Sequence, residues 1–238
     1  MTYQIKLLGH REIAAGTTSF FFEKPAGFNF KAGQYCDFTL VNPPETDAEG
    51  NTRTFSIASA PFEECIEIAT RMRDTAFKRV LGSLAIGAPI KAEGPMGSMT
   101  LQNDASRPAA LLAGGIGITP FRSMVAQAAH DKLPHEIYLF YSNRRPEDAA
   151  FLGELANSQK QNPKFHFAPT FTGASLPAAD SPETGYINRD MLKKYLPDIA
   201  KPIYYLAGSL AMVTDMRNML DQMGIDSDWI KAEEFAGY

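Results

Sequence analysis

Ala109 to Phe121 reads AALLAGGIGITPF, and the fold of the chain turns on this stretch. Ala109 to Ala113 is a short, uniformly apolar run, which suits a central parallel strand buried on both faces. Gly114, Gly115 and Gly117 let the backbone turn tightly and approach a ligand without interference from a Cβ. Thr119 and Pro120 then open a helix predicted to run to about Ala129. Backbone N–H groups at such a helix start face an anion. The dinucleotide fingerprint is matched only in part, because Pro120 replaces the third glycine and no acidic residue stands clearly at the end of the next strand. Alone, the stretch fits a plain structural turn equally well.

A second stretch lies upstream. Thr52 to Ser59, TRTFSIAS, reads as a strand with β-branched and aromatic content that carries one arginine and a run of hydroxyls. An arginine there can pair with a phosphate through its planar fork, an aromatic can stack on a flat ring, and a serine can hydrogen-bond a ring nitrogen. The plainer alternative is a half-exposed strand.

At these two motifs the chain resembles the ferredoxin-NADP reductase superfamily of flavoproteins, and the resemblance covers almost all of it. That family places an Arg-x-Tyr-Ser strand in an N-terminal antiparallel β-barrel that binds FAD, and a Gly-Gly-x-Gly-x-Thr-Pro turn at the start of a C-terminal α/β, Rossmann-like domain that binds NAD(P). Here they stand as RTFS and GGIGITP, with Phe55 in place of the tyrosine. The resemblance implies that Arg53 meets the FAD pyrophosphate, that Thr54 and Phe55 line the flavin with Phe55 on one ring face, and that Ser56 lies near the flavin N5. Thr70 to Lys78, TRMRDTAFK, resembles the family's second flavin segment, which implies cofactor contacts from Thr70, Arg71, Met72, Ala76 and Phe77 and a pyrophosphate-binding hydroxyl from Thr75. Asp74 or Thr75 would cap the helix that follows. Gly94-Pro95-Met96-Gly97 resembles the turn that closes the barrel.

The nucleotide half carries further resemblances. Gly114, Gly115, Gly117, Thr119 and Pro120 are the expected phosphate turn. Ser142-Asn143-Arg144-Arg145 stands where the family binds the adenosine ribose or its 2′-phosphate. Two arginines there can favour NADPH, and NADH stays open. Ala207-Gly208-Ser209-Leu210-Ala211-Met212 resembles the family's Cys-Gly-Pro-x-x-Met turn beside the nicotinamide, with Gly208, Ser209 and Met212 as contacts and Ala207 departing from the usual cysteine. Many family members end beside the flavin. Phe235 and Tyr238 are therefore the candidate ring covers, and Glu234 a candidate proton relay.

What the resemblance implies for function is an FAD-dependent NAD(P)H oxidoreductase, passing hydride from the nicotinamide to the flavin and then single electrons to a ferredoxin, a flavodoxin or an oxygenase component. FMN is not excluded by the residues. Arg71, Arg73, Lys78 and Arg79 gather positive charge that can steer an acidic carrier toward the flavin, or form an ordinary solvated face. Two other readings remain: a non-turnover FAD-binding regulatory or scaffold subunit, and a dehydrogenase that acts without flavin.

Composition sets limits. The 238 residues are 45% apolar with a net charge of −4, which suits two modest domains and argues against a nucleic-acid partner. The polar stretch Leu101 to Pro108 marks the expected boundary, with a β-barrel domain over 1–103 and an α/β domain over 104–238. Two cysteines, Cys36 and Cys65, cannot build a four-ligand iron–sulfur cluster within these residues. The four histidines show no metal-ligand spacing. No apolar run approaches a membrane span and the N-terminus lacks a signal-peptide pattern, so a cytoplasmic location is the expectation.

Strands are predicted near 3–8, 18–23, 34–41, 52–59, 65–71 and 89–93, with one helix over 75–84. Beyond residue 109, strands near 136–141, 164–171 and 202–207 alternate with helices near 146–158, 189–196 and 210–223, a pattern that implies a parallel sheet with helices on both faces.

Overall fold

A computed structural model of the chain describes residues 1–173 and 183–235. Six strands fill the N-terminal part: β1 (Thr2–Ala14), β2 (Thr17–Glu23), β3 (Tyr35–Leu40), β4 (Thr52–Ser56), β5 (Cys65–Arg71) and β6 (Pro89–Met96). They pair antiparallel in the order β4-β3-β6-β1-β2-β5. Alternation sets the faces: in β3, Cys36, Phe38 and Leu40 are buried while Tyr35, Asp37 and Thr39 are not. The buried set joins Phe20, Phe22, Ile66, Ile68 and Ile90 in one core. Just past β4 the chain turns onto the far edge, where the Ala58 N–H donates to the Glu67 carbonyl at 2.7 Å. The sheet is thereby rolled into the expected barrel. Helix α1 (Ala76–Ser83) packs Phe77, Val80 and Leu81 into the same core. Thr75 caps it, accepting from the Lys78 N–H at 3.4 Å.

The C-terminal part is a parallel sheet of β7 (Ala109–Gly114), β8 (Ile137–Asn143), β9 (Phe165–Phe171), β10 (Glu183–Thr184), β11 (Ile203–Ser209) and β12 (Ile230–Phe235), in the order β10-β9-β8-β7-β11-β12. Helices α2 (Ile118–His130), α3 (Leu152–Gln161), α4 (Arg189–Tyr195) and α5 (Leu210–Gln222) cover it. Strand β7 is buried on both faces, as its uniform apolarity requires. Ala109, Leu111 and Ala113 share a core with Phe121, Met124 and Leu155 of α2 and α3, whereas Ala110 and Leu112 share one with Leu192, Val213 and Leu220 of α4 and α5. Ala58, Ala69 and Met99 of the barrel belong to the α2/α3 core, so the barrel docks on that side. Strand order reverses at β7, flanked by β8 and β11, and ligands of such sheets sit at that switch, beyond the strand ends.

Three elements differ from the sequence expectation. Strand β1 runs on to Ala14, because irregularities between Leu7 and Gly9 and between Glu12 and Ala14 let it keep pairing with β2. The expected helix over 146–158 is broken: a 3₁₀ turn spans Pro146–Asp148, Phe151 adopts a left-handed φ of 60°, and α3 starts only at Leu152. Residues 230–235 form an edge strand instead of a tail, with Gly208 opposite Glu234 and Ser209 opposite Phe235. Among the described residues no helix is long and apolar enough to cross a membrane, and no cluster of His, Cys, Asp and Glu is placed to hold a metal.

Gly117 is where α2 presses against β11. A Cβ there would meet the Ala207 carbonyl and, at 2.7 Å, the Gly208 nitrogen, whereas at Gly153 in α3 it would meet nothing within 4 Å. Gly117→Ala is expected to destabilise the fold by about 1–3 kcal/mol, and Gly153→Ala to stabilise it by about 0.4–1 kcal/mol. Urea denaturation of the two variants checks this, and equal behaviour would contradict it.

Candidate functional site

Three connected clefts run along the line where the barrel meets the parallel sheet. The first, about 750 Å³, lies between β4 and β12 and is lined by Arg53, Thr54 and Ser56 on one wall and Glu233, Glu234 and Phe235 on the other. The second, about 300 Å³, continues past Phe55 to Thr70, Arg71, Arg73, Thr75 and Lys78, with Ile116, Thr119 and Phe235 on its far side. The third, about 660 Å³, opens over the ends of β7, β8 and β11, between Gly114, Gly115, Asn143, Arg144, Ser209 and Met212. Arg71 lines both the second and the third.

The strand TRTFS places its groups by alternation. Ser56 is buried, and its hydroxyl has no hydrogen-bond partner among the described residues although it lines two clefts. A buried, unpaired hydroxyl costs stability, about 1–3 kcal/mol, which marks the place as one built for a polar group to arrive. Phe55 meets Phe38 and Phe77 at ring separations of 5.9 Å and presents its remaining surface to the second cleft.

Arg53 sits over the Phe77 ring, 5.3 Å from its centroid, and donates to the carbonyls of Glu49, Gly50 and Thr52 at 2.8–3.1 Å. Its other nitrogen reaches the Asp47 carboxylate at 3.3 Å and that of Glu49 at 2.8 Å. The second Asp47 oxygen accepts from the Ala76 N–H, at the start of α1, at 3.2 Å. Although burial opposes it, hydrogen bonds from the Glu49 N–H, Arg53 and the Ala76 N–H hold the Asp47 carboxyl below its usual range. Arginine, helix start and hydroxyl cap thus form one anion-binding corner.

Other residues of this segment face elsewhere. Phe77 lies in the barrel core with Met72 packed against it, Ala76 is buried, and none of the three lines a cleft. Lys78 donates to the Arg71 carbonyl at 2.8 Å, and burial, with Arg73, Arg53 and Arg71 nearby, pushes its ammonium pKa down. Arg79 is paired with Glu45 and Asp74. Of the four basic residues expected to attract a carrier, Arg73 alone combines exposure with no resolved ion pair.

In the nucleotide cleft, Met212 fills the space a Cβ would need at Gly114 and Gly208. Gly117 and Pro120 pack α2 and line none of the three clefts, while the Thr119 hydroxyl donates to the Ile116 carbonyl at 3.1 Å. Asn143 is buried with both side-chain polar atoms unbonded. Arg144 and Ser142 line the cleft, but Arg145 pairs with Asp148 at 2.9 Å and Glu147 at 3.3 Å and is not part of the lining.

At the C-terminal wall, Glu234 is exposed and Phe235 lies between the first two clefts. Tyr238 lies outside the described residues. Glu233, not singled out from the sequence, has one carboxylate oxygen buried without a partner, and burial pushes its pKa up to about 7. Tyr186, beyond the short strand β10, also lines the nucleotide cleft. Both glutamates reach the first cleft, and burial rather than residue type tells Glu233 from Glu234.

Comparison with known proteins fits this geometry. Residues 111–218 match the oxidoreductase NAD-binding domain family. The terephthalate 1,2-dioxygenase reductase component 1 of a Comamonas species is 26% identical over 209 residues, which is 87% of this chain and 60% of that protein. A ferredoxin NADP+ reductase from Neisseria gonorrhoeae, solved with FAD and NADP, superposes with a TM-score of 0.82 at 21% identity over 98% of both chains. The fold of the chain is that of ferredoxin reductase-type FAD/NAD-binding proteins. The FAD/NAD-binding domain of a Vibrio cholerae nitric oxide dioxygenase shares this fold equally, with a TM-score of 0.83 at 19% identity and 98% coverage of both. The chain spans about 60% of the length of the curated relatives it matches.

The Glu233 pKa implies a pH slope. A carboxyl raised from its ordinary 4.5 to about 7 by folding stabilises the fold only while protonated, so stability falls as pH rises through that window. The fall is expected to be on the order of 3 kcal/mol. Glu233→Gln should remove that part of the slope, as measured by denaturation at several pH values. Matching slopes in variant and wild type would contradict the assignment.

Proposed function

We propose that this protein is an FAD-dependent NAD(P)H reductase that supplies electrons to a separate acceptor. The observation that carries the proposal is the Ser56 hydroxyl, buried and unpartnered, in a cleft that shares Arg71 with the one over the Gly114-Gly115 turn. A flavin nucleotide fits the donor set. Its ring would lie along Thr54, Phe55 and Ser56, and its pyrophosphate would take the corner of Arg53, Thr75 and the α1 start, where a carboxylate already rests. When bound, FAD would accept a hydride from the nicotinamide and release electrons singly.

The remaining steps belong to the chain. Gly114 and Gly115 let the nucleotide phosphates approach the backbone, and Asn143 offers an unpaired donor and acceptor to them or to the ribose. Gly208, Ser209 and Met212 would seat the nicotinamide beside Thr119. Phe235 would cover the flavin face until the nicotinamide displaces it, which is feasible because an aromatic contact adds only about 0.5–1.5 kcal/mol beyond area burial. Glu233, poised near neutrality, is better placed than Glu234 to hold or release a proton in the first cleft. Arg71 would touch both cofactors. We assign residues 1–103 to the flavin half and 104–238 to the nucleotide half.

Acceptors of the oxygenase-component, ferredoxin or flavodoxin type accord with the relatives' names, such as the terephthalate dioxygenase reductase component. Only Arg73 among the four basic residues is suited to steer one, since Arg79 is neutralised by Glu45 and Asp74 and Lys78 is half-buried. The retained glycine turn and the orphaned Ser56 count against a non-turnover subunit.

Anaerobic stopped-flow mixing of the flavin-loaded protein with NADPH and with NADH tests the proposal. Rapid bleaching by at least one nucleotide is expected, and bound flavin that neither bleaches would overturn it. Because Arg144 alone of the arginine pair faces the cleft, Arg144→Ala is expected to weaken NADPH about tenfold while leaving NADH within about twofold.

A further inference from the structure

Helix α2 meets the barrel through a row of polar contacts that the nucleotide chemistry does not use. Arg122 is 8% exposed. Its Nη1 donates to the Ala58 carbonyl at 3.2 Å and to Glu63, its Nη2 donates to the other Glu63 oxygen at 2.9 Å, and its Nε donates to Glu154 of α3 at 2.7 Å. Glu67, 4% exposed, lies 4.0 Å away and accepts from Ser19 at 2.5 Å. Along the same face, Ser123 donates to the Ser59 carbonyl at 2.6 Å and Gln127 accepts from the Phe62 N–H at 3.1 Å. His130 closes the row, stacking on Phe62 at 4.1 Å.

The placement of this seam is what gives it meaning. One end of α2 follows the Gly114–Gly117 turn, and its Thr119 lines the flavin cleft. The segment 58–67 that Arg122 grips begins two residues after Ser56 and runs into β5, which ends at Thr70 and Arg71. Glu63 is itself pinned, accepting from the Ala60 N–H at 2.5 Å. A sideways slip of α2 therefore moves the nucleotide turn relative to the flavin strand.

We propose that Arg122 is a positioning residue, which sets the nucleotide half against the flavin half through Ala58, Glu63 and Glu67. The proposal rests on the reductase reading above and adds to it the element that fixes the distance between the two cofactors. Stability alone does not require such a cluster, because replacing a buried ion network by well-packed apolar groups is often neutral or better. Its bidentate, directional bonds confer register instead.

The experiment compares wild type, Arg122→Met and Arg122→Lys. Hydrogen exchange on the protein without nucleotide should show faster exchange in both 58–67 and 118–130 for Arg122→Met, and partial recovery for Arg122→Lys. Flavin content and the calorimetric dissociation constants of NAD+ and NADP+ should stay within about threefold, because Arg122 lines none of the three clefts. The limiting rate of flavin bleaching by NAD(P)H should fall by about tenfold or more, since small misplacements of reacting groups cost that much. Bleaching by dithionite should not change. A limiting rate within about twofold of wild type, with only the melting temperature lowered, would reduce Arg122 to a structural residue and overturn the proposal. If neither nucleotide bleaches wild type, the reductase reading fails, yet the exchange data still judge the seam: unchanged protection in both segments refutes it.

Discussion

Helix α2 must satisfy two neighbours at once, and the rest of the molecule is arranged around that constraint. Its start is fixed to β11, because Gly117 leaves no room beside the Ala207 carbonyl. Its flank is fixed to the barrel by Arg122, Ser123 and Gln127. With both contacts made, the start of α2 and the end of β4 face a common space, and the edge strand β12 walls it off. A parallel sheet offers ligands only its strand ends, so a barrel docked anywhere else would leave the two clefts apart.

The polar groups left unpaired in that space follow the same logic. Ser56, Asn143 and Glu233 each keep at least one buried atom without a partner among the described residues. Four such atoms in one line of clefts are expensive for a marginally stable fold. On the proposed reading they are tolerated because two large nucleotides would satisfy them. The anion corner differs, since Asp47 and Glu49 already bond Arg53 and the start of α1. Any pyrophosphate there has to share or displace those carboxylates.

Much of this was legible from the sequence, and the exceptions have physical causes. The glycine turn, the TRTFS strand and the α1 cap are local devices, readable because turns, alternation and caps depend on a few neighbouring residues. Strand β12 was not, because IKAEEF carries three charges and pairs only because β11 offers it a free edge. The helix over 146–158 failed at Phe151, whose buried ring holds a left-handed backbone that no local propensity favours. Arg122 carries no local signal, because its partner Glu63 stands 59 positions away. The arginine pair 144–145 read as equivalent until Asp148 claimed Arg145.

The central claim is that the flavin site and the nicotinamide site meet at Arg71, with Thr119 and Phe235 on the flavin side and the ends of β7 and β11 on the nicotinamide side. It is tested most directly by reducing the flavin-loaded protein with dithionite under anaerobic conditions and titrating it with NAD+ and NADP+. A long-wavelength charge-transfer absorbance that grows and saturates with at least one nucleotide would mean that the two rings stack, as the account predicts. Calorimetric binding of a nucleotide with no such band would mean that the cofactors sit apart, and would contradict it.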